Sequence, residues 1–140
     1  MSLKCFINFS VISINEFSLK QNDENPVFYV QYAHARICSI LRQWAGDENS
    51  LKSASLLALD SHASNMLLTR LSEYSDVLAE AAKDMTPHSL AFYLRDLASD
   101  FHTFYNADRV LVDEENIRSA RLALLLATKQ VIANGLGILG

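Results

Sequence analysis

Two phenols and a guanidinium fall close together in the stretch Asn25-Pro26-Val27-Phe28-Tyr29-Val30-Gln31-Tyr32-Ala33-His34-Ala35-Arg36-Ile37-Cys38-Ser39-Ile40-Leu41-Arg42. At about 100° per residue, Tyr29, Tyr32 and Arg36 share a helical stripe roughly 60° wide. Rings of this kind stack on flat groups, and a guanidinium beside them pairs with phosphate. Unpaired loops of RNA are gripped in this way. The plainer reading is equally physical: tyrosines pack on a neighbouring helix and keep their hydroxyls in water. Residue type and spacing leave both open. A second group, Tyr105-Asn106-Ala107-Asp108-Arg109, repeats the pairing of aromatic and base. The Asn106 amide can donate to and accept from a base edge, although Asn106 also suits a helix end.

Other chemistries find little support. His34, His62, His88 and His102 have no companions at metal-ligand spacing. Cys38 falls mid-helix beside an apolar face, where thiols are inert. No serine occupies a G-x-S-x-G turn. Asp96 with Asp100, and Glu114 with Glu115, read as solvated charges rather than as an acid–base pair. The sequence has four glycines, and three of them (Gly135, Gly137, Gly140) fall in the last six residues. A chain so poor in internal glycine has no loop to wrap a nucleotide phosphate. Neither a catalytic residue nor a metal ligand is expected.

The 140 residues suffice for one domain with one core, and a net charge of -4 gives no bulk basic character. Any anion must therefore be met by a local face. Cys5 and Cys38 suggest no disulfide scaffold, so a reduced, cytoplasmic protein is expected. No apolar run of the ~20 residues that span a bilayer is evident. The patch from Cys5 to Ile14 lacks the marks of a signal peptide, and no membrane partner is expected.

The elements that position these residues are helices. Asn25 as N-cap and Pro26 at the first position open a helix to about Trp44, which stops near Gly46-Asp47. Its core stripe is Val30, Ala33, Ile37 and Leu41. Residues 50–69 suggest one or two short helices, with Ser61, Ser64 and Asn65 breaking the pattern. Ser72 or Ser75 is expected to cap a helix ending near Lys83-Asp84. Thr86-Pro87 starts another, with Leu90, Leu94, Leu97, Phe101 and Phe104 as a core stripe. On a different face of that helix, His88, Arg95, His102 and Arg109 recur every seven residues. The last helix begins at the acidic group Asp113-Glu114-Glu115 and is expected to stop at Asn134-Gly135. Arg118, Arg121 and Lys129 form a basic edge along it. The fold class is all-α, a bundle of about five helices.

These residues also carry a family resemblance. The segment Asn25 to Arg36 resembles the opening helix of the DALR-type anticodon-binding domain at the C-terminus of bacterial arginyl-tRNA synthetase. Three more blocks resemble the family in the same order: Pro87 to Ala98, Phe101 to Asn106, and Arg121 to Gly140. The resemblance covers about Phe17 to Gly140, so residues 17–140 are taken as the domain and residues 1–16 as a poorly matched lead-in. It implies a helical bundle that grips the anticodon stem-loop of the arginine tRNA, with Tyr29, Tyr32 and Tyr105 against the loop and Arg109 beside them. Arg36, Arg109, Arg118 and Arg121 would meet phosphates, and Asn106 would lie among the contacts. His34 and Arg36 match the motif, either as RNA contacts or as supports of the helix.

The resemblance also implies what this chain lacks. Signatures of the HIGH and KMSKS type, which bind ATP in such synthetases, are absent. The chain is therefore expected to be a non-catalytic fragment whose parent uses ATP with magnesium and whose partner in the same polypeptide is an upstream catalytic domain. The family continues past the position of Gly140, which is expected to reduce affinity here. The rival to an RNA-binding module is a helical protein–protein interaction or regulatory domain.

Overall fold

The computed structural model describes residues 26–140. The Asn25 cap, the β-prone stretch from Phe6 to Ile14 and the boundary at residue 17 lie outside the described residues. Five α-helices follow one another: α1 Pro26–Trp44, α2 His62–Ser72, α3 Tyr74–Asp84, α4 Pro87–Ala107 and α5 Glu115–Leu139. A 3₁₀ turn, Glu48–Ser53, lies between α1 and α2. No strand occurs among the described residues. The expected all-α bundle of about five helices is the architecture of the described residues.

Helix α4 is the central element, because it packs against each of the other four. Its stripe Leu90, Leu94, Leu97, Phe101 and Phe104 is fully buried. From α1 come Val30, Ala33 and Ile37, and from α5 come Leu122, Leu124, Leu125 and Ile132. Each of these buried side chains larger than alanine stabilises the fold by roughly 1.5–3 kcal/mol. The two stripes read from periodicity both lie in the core.

Helix ends depart from expectation in instructive ways. Helix α1 stops where expected, but the left-handed residue is Ala45 (φ 58°), not Gly46. A Cβ at Gly46 would run into the Trp44 ring, which would have to shift. Ser61, expected to interrupt a helix, caps α2 by accepting from the Ser64 N–H. Helix α3 begins after Glu73 with no side-chain cap, so neither Ser72 nor Ser75 has that role. Thr86 precedes Pro87 as expected, yet its hydroxyl caps nothing.

The expected stop at Asn134-Gly135 is overturned, since α5 runs on to Leu139. Gly135 is buried, and a Cβ there would lie 2.6 Å from Leu94 of α4. The glycine permits close approach of two helices instead of ending one. Helix α5 is also long and apolar enough to cross a membrane by length and composition, with mean hydropathy 1.6. Its buried residues Ala120, Leu122, Leu124, Leu125 and Ile132 form a core face, and the helix packs against α1 and α4.

Candidate nucleic-acid interface

Because α1 lies on α4, the two aromatic–basic groups of the sequence meet. Tyr29, Tyr32 and Arg36 project beside the apolar stripe of α1, and Tyr105 comes from the last turn of α4. The Arg36 Cζ lies 5.3 Å from the Tyr32 ring centroid and 4.7 Å from that of Tyr105. Both are within the ~6 Å reach of cation–π attraction. Arg36 thus joins the two tyrosines across the helix–helix seam. It has no carboxylate at ion-pair distance among the described residues. Its charge is held against aromatic rings. Tyr32 is 48% exposed and Tyr105 36%.

His102 completes the cluster. Its ring lies 5.3 Å from Tyr29, 5.6 Å from Tyr32 and 5.0 Å from Phe101. Burial, and then the neighbouring Arg36 charge, push its pKa below the ordinary value. The ring is therefore a neutral imidazole at neutral pH. Sequence reasoning passed over His102 as a site residue by grouping it with His88, Arg95 and Arg109. Those four do not form one site. His88 is exposed near the start of α4, Arg95 stacks on Phe92 and pairs with Asp96, and Arg109 lies beyond the end of the helix. The usable signal was the spacing from His102 to Tyr105, one helical turn on the same face.

His34 and Arg36, two residues apart, face opposite environments. His34 is buried on the core side of α1, with its Nδ1 3.6 Å from the Cys38 sulfur. Burial first, and then the Lys129 charge, lower its pKa to about 4. Of the two, His34 is placed as a support of the helix and Arg36 as a surface group.

The basic edge of α5 is used internally. Arg118 donates to the carbonyls of Val112 at 3.0 Å and Asp113 at 3.1 Å. Arg121 donates to the carbonyl of Arg109 and lies 3.8 Å from the Asp108 carboxylate. Asp108 also accepts from Ser61, the cap of α2. Lys129 pairs with Glu48 of the 3₁₀ turn at 3.3 Å. These cations tie down the segments beside α5, and Arg118 and Arg121 in particular shape the loop that carries Arg109. Asn106 and Arg109 are themselves exposed.

The described residues form a helical bundle centred on α4, with an aromatic and guanidinium seam on its surface. Residues 30–140 match the family model of the DALR anticodon binding domain, and the chain belongs to that family. It is 64% identical over 125 residues to an arginine–tRNA ligase of Polynucleobacter necessarius, an alignment covering 89% of this chain and 22% of the relative. It is 59% identical over 129 residues to that of Burkholderia thailandensis, with the same two shares, 89% and 22%. Among solved structures it resembles the Thermus thermophilus arginyl-tRNA synthetase, with TM-score 0.71 and 37% identity over 85% of this chain and 20% of that one. The chain spans about a fifth of the length of these curated relatives.

Proposed function

We propose that this chain binds the anticodon loop of an arginine tRNA, as the anticodon-binding part of an arginine–tRNA ligase. The observation that carries the proposal is the Tyr32–Arg36–Tyr105 seam, where a cation without a carboxylate partner among the described residues is held between two exposed rings. Splayed bases stack on Tyr29, Tyr32 and Tyr105, and phosphates meet the edge of Arg36 and the exposed Arg109. Arg118 and Arg121 act indirectly, by holding the loop after α4. Asn106, exposed in the last turn of α4, meets a base edge in this reading. ATP with magnesium belongs to the catalytic part of such a ligase, the partner of this domain within the same polypeptide. We assign no ligand for either to this chain. A cytoplasmic location goes with a role in translation.

Filter-binding titration with the arginine tRNA tests the reading. Tyr32→Ala is expected to lose about 1–3 kcal/mol of binding, the usual worth of one stacked base. Wild-type binding is expected to weaken steeply with added salt as counterions leave the RNA. Affinity unmoved by Tyr32→Ala and by salt would instead favour a protein-docking face.

A further inference from the structure

Among the described residues, one buried side-chain nitrogen lacks any hydrogen-bond partner: Nε2 of His102. An unpaired buried polar atom is destabilising, and native chains retain few of them. This one lies beneath the proposed RNA face, in a ring bracketed by Tyr29 and Tyr32. Tyr32 is half exposed on α1. Exposed side chains of this kind change rotamer in picoseconds to nanoseconds.

We propose that His102 is a base-binding residue of this domain, completed only when RNA is bound. An unpaired base entering the seam turns the Tyr32 ring aside and takes a hydrogen bond from, or gives one to, Nε2. The stacking surface is then Tyr29 and the displaced Tyr32, and the imidazole reads the base edge. A nucleobase suits this nitrogen better than a phosphate does. Burial and the adjacent Arg36 both disfavour the imidazolium that a phosphate would select, whereas a neutral imidazole offers one donor and one acceptor. The inference rests on the RNA-binding reading above.

The test uses the 140-residue chain, a fluorescein-labelled anticodon stem-loop of the arginine tRNA read by anisotropy, and thermal melts of each protein. His102→Phe keeps the ring and removes the nitrogen. It is expected to melt at or above the wild-type temperature, because the unpaired atom is gone, and to bind the stem-loop about tenfold more weakly. His102→Gln places an amide group the same number of bonds from the backbone as Nε2 and is expected to recover most of that loss. His102→Phe binding within twofold of wild type overturns the proposal, as does an equal loss in the Phe and Gln variants. A fall in melting temperature that tracks the loss of affinity makes His102 a packing residue and also overturns it. Tyr32→Ala run in parallel separates the two readings: if it weakens binding while His102→Phe does not, the RNA face stands and the role of His102 falls. If wild type does not bind the stem-loop, both fall.

Discussion

The α1–α4 seam and the basic edge of α5 both carry basic side chains on a helix, one guanidinium among aromatic rings at the seam and three cations along α5, and they are put to opposite uses. On α5, Arg118, Arg121 and Lys129 each have acceptors within the fold: the carbonyls of Val112, Asp113 and Arg109, and the carboxylates of Asp108 and Glu48. At the seam, Arg36 rests on two rings without an acid at ion-pair distance among the described residues, and His102 keeps an unpaired nitrogen. A helical stripe of basic residues therefore does not by itself mark a binding face. The partner decides. A cation already bonded to the fold must give up those bonds to meet a ligand, whereas one held on aromatic faces meets an anion with little rearrangement.

The largest expected effect lies on the core side of α1, behind the seam. The His34 imidazole titrates at about 4 in the folded chain and near 6.5 when unfolded. Between those values the unfolded chain holds a proton that the folded one does not. Stability is thus full above about pH 6.5 and falls by roughly 3 kcal/mol as the pH drops towards 4. Urea midpoints taken across that range check this. His34→Gln should flatten the slope between about pH 6.5 and 5, with RNA affinity at pH 7.5 little altered. If RNA affinity collapses instead, the core side and the outer side of α1 are not separable.

Next in size is Arg121→Ala. It leaves the Arg109 carbonyl and the mostly buried Asp108 carboxylate short of a donor, and is expected to cost about 2 kcal/mol of unfolding free energy. The denaturant midpoint reads this, and the folded variant should bind RNA within about threefold of wild type. A large loss of affinity at unchanged stability would move Arg121 from the structural side of the comparison to the binding side.

The smallest effects form a matched pair. Arg36→Ala is expected to change stability by about 0.5–1 kcal/mol, as for an exposed cation–π contact. It should also lower the dependence of RNA binding on log salt by about one unit. Lys129→Ala is expected to cost about 1 kcal/mol of stability and leave that salt slope unchanged. Equal salt slopes in the two variants would erase the distinction between the regions.

Much of this arrangement was legible along the chain. The stripes of α1 and α4, their prolines and the aromatic–basic groups all follow from the 3.6-residue period and from simple helix-start chemistry. Those are local properties, in which neighbours in sequence are neighbours in space. Gly135 shows where local reading fails. Next to Asn134 it has the form of a helix stop, but its lack of a side chain answers to Leu94 on another helix. Ser61 failed in the same way, read as a break when it is a cap that also bonds Asp108 across the fold.

By itself, the sequence determined the class of fold, the core stripes and the residue types available for stacking, because periodicity and propensity act within one helix. The tertiary structure alone decided which cations remain available to a ligand. Helix α1 crosses α4 so that Arg36 meets Tyr105 and His102 lies under Tyr29 and Tyr32. The chain after α4 turns back so that Arg118 and Arg121 close on its carbonyls. Whether a guanidinium is satisfied depends on acceptors brought near by folding, and no spacing within a single helix encodes that.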